Sequence, residues 1–254
     1  MSDLAMNAMP LVLTPDSPLQ VYWQNGEPAR QENPHIRLQE NNSFACLFIQ
    51  GRLDLSPAQE SNSDRDRLSA ELNINLSSIP NRVSGNDPYC LWAAPNEWWV
   101  LASGLGPQAV VELAEHLAEQ LAGQLRAVLP ETFTITDITD SRCVIDISGT
   151  AAARLLATGC GLDFHPSVFG PGQCAQTLFN QMDVVIQPFT TRSSVTPLPA
   201  THIPTTRIPA TQFSATQAES SQSAVDDIAY RMLVDRSHAV YCWRWLADAM
   251  REFM

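Results

Sequence analysis

Apolar residues follow two different periods along the chain, and these periods predict alternating strands and helices. Between residues 107 and 125, four leucines recur every four residues on one stripe, which predicts an amphipathic helix. Just before it, residues 98–101 are continuously apolar, which is typical of a strand covered on both faces. This strand is expected to form a hairpin with residues 89–93, turning at residues 95–96.

Residues 134–177 predict the order strand, tight turn, strand, helix, loop and strand. We expect a hairpin turn at residues 140–141, because Asp and Ser side chains can both hydrogen-bond to their own backbone. Ser148 or Thr150 can cap the helix that follows, and Gly159 can end it in the left-handed conformation.

Other segments complete the predicted order of elements. Strands are predicted at residues 44–53, 72–79, 175–187 (a pair turning near 180–181) and 228–234, and a final amphipathic helix follows the last strand. From residue 90 onward, helices therefore alternate with hairpins. This alternation favours an α+β fold with mixed or antiparallel sheets over a doubly wound parallel one.

The domain organisation follows from length and local composition. The 254 residues suit one two-lobed domain, which we place at residues 43–190 and 221–254. Residues 1–42 are predicted to be an irregular N-terminal extension, and residues 59–67 an exposed loop. Residues 191–220 form a Thr/Pro-rich run of degenerate pentads. We expect this insert to be disordered, with a tether for another subunit as the alternative.

Charge and composition exclude several classes of function. The net charge is −12, and all fifteen basic residues are arginines. An acidic chain repels phosphate backbones, so nucleic acid is not an expected partner. The absence of lysine excludes Schiff-base chemistry and a phosphate-binding P-loop lysine. No basic residue precedes Arg30 and no apolar run is long enough for a membrane helix, so we expect a cytoplasmic protein without a membrane contact.

The candidate chemical groups cluster in one loop. Cys160, His165 and Cys174 could ligate zinc, but a closed structural site needs a fourth ligand. Cys160, His165 and Asp163 could also form a nucleophile, base and orienting group. The alternative, which we favour, is that the loop packs against the core or recognises a partner. The six cysteines are dispersed, which predicts reduced, buried thiols.

Other charged and aromatic residues have structural interpretations. Asp137, Asp140 and Arg142 suggest a turn held by a carboxylate–guanidinium contact. Trp98 and Trp99 are consecutive in a strand and must point to opposite faces, and Trp243 and Trp245 diverge on a helix. One ring of each pair then needs a second partner, which indicates a subunit interface. The candidate interface residues are Trp99, Asp163, Phe164, His165 and Trp245.

Several ordered motifs carry a resemblance to a known family. They are Asp-Ile-Thr-Asp-Ser-Arg at 137–142, Gly-Cys-Gly-Leu-Asp-Phe-His-Pro at 159–166, Gly-Gln-Cys-Ala-Gln-Thr at 172–177, Pro-Asn-Glu-Trp-Trp at 95–99, and Tyr-Cys-Trp-Arg-Trp-Leu at 241–246. With these motifs the chain resembles the gamma subunit of heterotetrameric sarcosine oxidase. The resemblance covers roughly residues 90–187 and 226–250. It implies the two-lobed fold of the folate-binding domain of glycine-cleavage T-proteins.

The resemblance also implies a function within a complex. That complex is an oxidoreductase acting on a CH–NH group with oxygen as acceptor. It demethylates sarcosine to glycine and yields hydrogen peroxide and, with tetrahydrofolate, methylenetetrahydrofolate. The implied partners are the alpha, beta and delta subunits, which would hold FAD, FMN, NAD, zinc and tetrahydrofolate. This chain would hold no cofactor, no metal and no catalytic residue. The alternatives are a free-standing folate-dependent aminomethyltransferase-like protein and an acidic scaffold of unrelated function.

Overall fold

The computed structural model describes residues 17–20, 30–42, 44–52, 68, 70, 72, 74–102, 111–191 and 228–254. The described strands are β1 (Arg30–Glu32), β2 (Arg37–Glu40), β3 (Ala45–Gln50), β4 (Val83–Gly85), β5 (Tyr89–Ala94), β6 (Glu97–Ala102), β7 (Thr134–Asp137), β8 (Arg142–Ser148), β9 (Ala175–Phe179), β10 (Met182–Thr190) and β11 (Ile228–Asp235). The helices are α1 (Val111–Val128), α2 (Ala152–Gly159) and α3 (Ala239–Ala249), with short 3-10 helices at Thr139–Ser141, Arg236–His238 and Met250–Phe253.

The described strands form two antiparallel sheets. Sheet A has six strands in the order β1-β2-β8-β11-β10-β9, and sheet B has five in the order β4-β5-β6-β3-β7. The predicted α+β class with two sheet-and-helix lobes is therefore confirmed. No helix among the described residues is long and apolar enough to cross a membrane.

Strand alternation divides the core into three layers. The outer face of sheet A, with residues such as Ile145 and Met232, packs with Leu155 of α2 and Trp243 of α3. The outer face of sheet B packs with α1. The inner faces of both sheets pack against each other in a third cluster. Successive strand residues point to opposite faces, and both faces of each sheet are covered. The central strands are therefore nearly continuous runs of apolar residues.

Two of the three predicted tight hairpins are present, those at residues 95–96 and 180–181. In the β5–β6 turn, Asn96 has a φ of +66°, and in the β9–β10 turn, Asn180 and Gln181 have φ values of +43° and +70°. Positive φ at the central residues gives the turn a twist that matches that of the strands. Asparagine tolerates this conformation better than most residues, so these turns were readable from the sequence. The strands predicted near residues 44–53 and 228–234 are also confirmed, as β3 and β11.

The predicted hairpin at residues 140–141 is wrong. The 3-10 helix Thr139–Ser141 instead carries the chain from sheet B to sheet A, because β7 pairs with β3. Strand β8 already has β2 on one side and β11 on the other. Both of its hydrogen-bonding edges are therefore occupied, which leaves no place for β7. The backbone N–H of Cys46 donates to Thr139 Oγ1 at 2.9 Å and anchors the crossing.

The predicted caps of α2 are also wrong. Ala151 occupies the N-cap position without a side-chain hydrogen bond, and α2 runs through Gly159 into the extended Cys160. A Cβ on Gly159 would lie 2.8 Å from the ring of Phe179 and 2.9 Å from that of Trp245. Close packing, rather than a left-handed conformation, therefore requires glycine at residue 159.

Two further segments differ from the prediction. Residues 30–32 and 37–40, expected to be irregular, form the hairpin β1–β2, and β2 pairs with β8 in sheet A. Asn33 Oδ1 accepts hydrogen bonds from the backbone of His35 at 2.8 Å and of Ile36 at 2.7 Å, which shapes the turn. Residues 74–78 form no strand, although Ile74 and Leu76 are fully buried against sheet B.

Other predictions are tested only in part. The helix expected at residues 107–125 corresponds to α1, which is described from Val111 onward. The loop at residues 59–67 and, apart from Thr191, the insert at residues 191–220 lie outside the described residues.

Candidate functional site

A largely buried polar cluster joins the two sheets and consists of Asp146, Arg231, Tyr89 and Asn41. The Arg231 side chain is 13% exposed and donates from Nε and Nη2 to the two Asp146 carboxylate oxygens at 2.7 and 2.8 Å. Its Nη1 donates to the Tyr89 hydroxyl at 3.0 Å across the sheet interface. The Asn41 amide also donates to Asp146 at 3.1 Å. A bidentate pair of this kind fixes both distance and orientation.

The environment of this inter-sheet cluster keeps Arg231 and Tyr89 in fixed protonation states. Burial by itself would lower the pKa of Arg231, but the hydrogen bonds and charge of Asp146, together with Tyr89, outweigh burial and raise it. Burial raises the pKa of Tyr89, although Arg231 opposes that rise. Arg231 thus stays charged and Tyr89 stays neutral around neutral pH. These groups are set up to hold the sheets together rather than to exchange protons.

A cleft of about 500 Å³ opens between the sheets beside this cluster. We call it the inter-sheet cleft. Strands β8 to β11 of sheet A provide most of its lining, and Trp99 of β6 provides a wall from sheet B. The lining residues are Trp99, Arg142, Gln176, Thr177, Leu178, Asp183, Val184, Val185, Leu233 and Asp235.

Arg142 crosses the inter-sheet cleft and is held by two contacts. Its Nη1 bonds to Asp235, and its guanidinium carbon lies 4.6 Å from the centre of the Trp99 ring. The predicted turn contact between Arg142 and the carboxylates of Asp137 and Asp140 is therefore wrong. Asp137 Oδ1 instead accepts a hydrogen bond at 2.9 Å from the backbone N–H two residues later.

The loop residues weighed as metal ligands are not brought together. Cys160 lies in the outer core of sheet A, with Sγ 3.4 Å from Thr177 Oγ1, whereas Cys174 lies in the inter-sheet core and donates to a backbone carbonyl at 3.5 Å. His165 is exposed, and its Nδ1 lies 2.7 Å from Ser167 Oγ. Across the described residues, no group of three or more His, Cys, Asp or Glu side chains could hold a metal ion.

The alternative nucleophile, base and orienting group is not assembled either. Asp163 Oδ1 accepts from the backbone N–H of His165 at 2.9 Å, so the carboxylate stabilises a turn instead of orienting the imidazole. All six cysteines are free and buried, as predicted. Burial raises the pKa of five of these thiols, for example to about 11 for Cys174 and to about 12 for Cys242. Protonated thiols are poor nucleophiles.

The aromatic interface candidates divide into buried and open residues. Trp98 faces the outer core and donates from Nε1 to a carbonyl at 2.8 Å, while Trp99 faces the inner core and is 7% exposed. The prediction of opposite faces is thus confirmed, but the second ring of this pair finds its partner, Arg142, within the chain. Trp245 is half-buried, and its ring centre is 4.9 Å from that of Phe179.

The predicted recognition loop is only partly available at the surface. Phe164 is buried, with its ring edge-to-face against Tyr230 at 5.6 Å, and its carbonyl accepts a hydrogen bond from Tyr230 Oη at 3.1 Å. Asp163 and His165 are exposed. The interface role of the five candidate residues stays a prediction, and Asp163, His165 and the open part of Trp245 are the accessible groups.

Sequence reasoning missed the residues with the most specific polar geometry. Asp146 and Arg231 each interrupt a run of buried residues within a strand. Because a charge in a buried strand needs a partner, the two interruptions were a readable signal that the two strands were neighbours. The inter-sheet cleft had no such signal, since its lining residues come from five strands that are distant in sequence.

Comparisons with known proteins agree on one family. Residues 58–196 match the sarcosine oxidase, gamma subunit family. The sarcosine oxidase subunit gamma of Corynebacterium sp. (strain P-1) is 30% identical over 82 residues, which cover 32% of this chain and 40% of that protein. Its counterpart from Arthrobacter sp. is 29% identical over 123 residues, covering 47% of this chain and 54% of that protein. These matches span about half or less of the relatives' length.

A solved structure shows the same fold over nearly the whole chain. It is a chain of the heterotetrameric sarcosine oxidase from Corynebacterium sp. U-96 in complex with pyrrole 2-carboxylate, with a TM-score of 0.63 and 20% sequence identity. The similarity covers 94% of this chain and 95% of that one.

Proposed function

The chain belongs to the sarcosine oxidase gamma subunit family, and on this premise we propose that it is a non-catalytic subunit of a heterotetrameric sarcosine oxidase. The complex would demethylate sarcosine with oxygen, giving glycine and hydrogen peroxide and transferring the carbon of the methyl group to tetrahydrofolate as methylenetetrahydrofolate. The other three subunits, alpha, beta and delta, would hold FAD, FMN, NAD, zinc and tetrahydrofolate.

The observation that carries the non-catalytic role is how the buried ionisable groups are used. Arg231 donates three hydrogen bonds, two to Asp146 and one to Tyr89. Arg142 bonds to Asp235 and lies over the ring of Trp99. An acid or base in catalysis needs a pKa near the working pH. The pKa shifts at Arg231, Tyr89 and the five thiols all move away from neutrality.

The six free, buried thiols support a reducing compartment for the complex, and we place it in the cytoplasm.

The experiment is co-expression of this chain, tagged at Met1, with the other three subunits. We expect all four to elute together with flavin absorbance and sarcosine-dependent peroxide. The matched control omits this chain and asks whether the other three still assemble and turn over. Elution of this chain alone, with full activity in the remaining three, would contradict the proposal. Saturable micromolar tetrahydrofolate binding by the isolated chain would favour a free-standing aminomethyltransferase-like protein.

A further inference from the structure

Sheet A ends in an open, partly apolar edge. Strand β9 pairs with β10 on one side, and no described strand pairs with its other side. Leu178, the next-to-last residue of this edge strand, is 57% exposed. An unpaired edge presents backbone N–H and C=O groups to any extended chain that approaches it. An apolar edge of this kind is usually protected by charge, by a bulge or by a partner.

The inner face beside this edge opens into the inter-sheet cleft. The strand register aligns one row of side chains across sheet A, because Leu178 is opposite Asp183 and Asp235 is opposite Arg142. The pairing of Val184 with Val234 places Asp183 beside Asp235 within this row. These side chains share one face, since cross-strand partners point the same way. The cleft therefore continues directly from the open edge.

The next row toward the centre of sheet A forms an apolar floor. Gln176 is opposite Val185, and Val185 and Leu233 are likewise cross-strand partners. Val185 and Leu233 belong to the buried inter-sheet cluster, and Trp99 stands over them from sheet B. A side chain entering from the edge would thus meet an aromatic wall and an aliphatic floor.

The charge of the cleft is unbalanced. Asp235 is neutralised by Arg142, whereas Asp183 is exposed and forms no ion pair with a described residue. The chain as a whole carries a net charge of −12. A cationic side chain is therefore the favoured neighbour of Asp183. A second copy of this chain is disfavoured because it would bring together two acidic surfaces.

We propose that an extended segment of another subunit of the complex adds to the outer edge of β9 as a seventh strand of sheet A. A Lys or Arg of this segment would reach across β9 toward Asp183, and an apolar side chain on the same face would cover Leu178. Main-chain hydrogen bonds would supply affinity and the alternate side chains specificity, as in other cases of strand addition. This inference rests on the proposed function, since it needs the partner subunits.

The first test is amide hydrogen exchange of the isolated chain and of the co-expressed four-subunit complex. We expect amides within residues 175–179 to exchange at least tenfold more slowly in the complex. Strand β7, which is the corresponding edge of sheet B, is the internal control and should be unchanged. Unchanged exchange at residues 175–179 in an assembled complex would overturn the docking site.

The second test uses paired substitutions in the co-expressed complex. Leu178→Arg and Asp183→Lys should each reduce co-purification with the other subunits at least tenfold. Their controls are Ile79→Arg, at an apolar side chain 61% exposed, and Asp140→Lys, at an exposed carboxylate. Both controls should co-purify as the wild type does. Thermal unfolding of each isolated variant verifies that the fold is kept.

The outcomes separate this inference from the proposed function. If the wild-type chain assembles and the Leu178 and Asp183 variants do so equally well, the docking site is refuted and the subunit role stands. If the wild-type chain itself does not assemble, both are refuted. Loss of assembly in both docking variants, with both controls intact, supports strand addition at β9.

Discussion

Replacing Asp146 by alanine would leave the Arg231 guanidinium between the two sheets with Tyr89 as its remaining partner in the inter-sheet cluster. In the wild-type chain that guanidinium donates two charge-assisted hydrogen bonds of 2.7 and 2.8 Å to the carboxylate. The Arg231 side chain is 13% exposed, so water can replace few of the hydrogen bonds that Asp146 provides. Removing one partner of a buried ion pair typically costs about 3–5 kcal/mol, since it strands the other charge.

The expected cost of Asp146→Ala is therefore about 3–5 kcal/mol in the free energy of unfolding, with a fall in Tm of roughly 10 °C. By contrast, the double substitution Asp146→Val with Arg231→Met removes both charges together. It should cost much less than the single change, because no buried charge is left without a partner. The comparison separates the cost of leaving one buried charge without a partner from the loss of the attraction between the two charges.

The assay is urea unfolding of the isolated chain, followed by tryptophan fluorescence. The control is Asp248→Ala, which breaks the exposed pair between Asp248 and Arg251, whose side chains are 71% and 73% exposed. That change should cost less than about 0.5 kcal/mol. If Asp146→Ala costs less than about 1 kcal/mol, or if the double variant is as unstable as the single one, the reasoning about burial is refuted.

Three other predictions concern packing, titration and hydrogen bonding. Gly159→Ala should destabilise the chain by about 1–3 kcal/mol in urea unfolding, because the added Cβ would lie 2.8 Å from an aromatic ring. Gly123→Ala is the control: its Cβ would enter open space on α1, and the change should stabilise the chain by about 0.5–1 kcal/mol. Burial raises the pKa of Cys174 from 9.0 to about 11, so between these pH values the folded state keeps a proton that the unfolded state releases. The free energy of unfolding should therefore fall as the pH rises from 9 to 11, and it should fall less steeply in Cys174→Ala. Tyr230→Phe should cost about 0.5–1.5 kcal/mol in thermal unfolding, because it removes the 3.1 Å hydrogen bond to the Phe164 carbonyl; no loss would contradict that role.

Local sequence signals predicted the elements whose geometry is decided locally. Both tight hairpins were readable because asparagine occupies turn positions with positive φ. The strand pattern of residues 98–101 correctly placed Trp98 and Trp99 on opposite faces. Helix α1 and helix α3 followed from their apolar stripes.

Features decided by distant pairings could not be predicted in the same way. The failed hairpin at residues 140–141 depends on β8 having both edges filled by strands that lie far away in sequence. Residue 159 must be glycine because aromatic rings from other elements pack against it, and not because its backbone adopts a left-handed conformation. The residues of the inter-sheet cleft come from five strands, so no local pattern identifies them.

The placement of the strands along the chain also has a consequence for synthesis. Every described strand of sheet B lies between residues 45 and 137, whereas sheet A needs β11, which begins at Ile228. During translation, sheet B can pair internally while its inner face still lacks the cover that Leu233 and its neighbours provide. We therefore expect the nascent chain to expose an apolar surface until β11 leaves the ribosome. Chaperone protection or rapid capture by a partner would matter most during that interval.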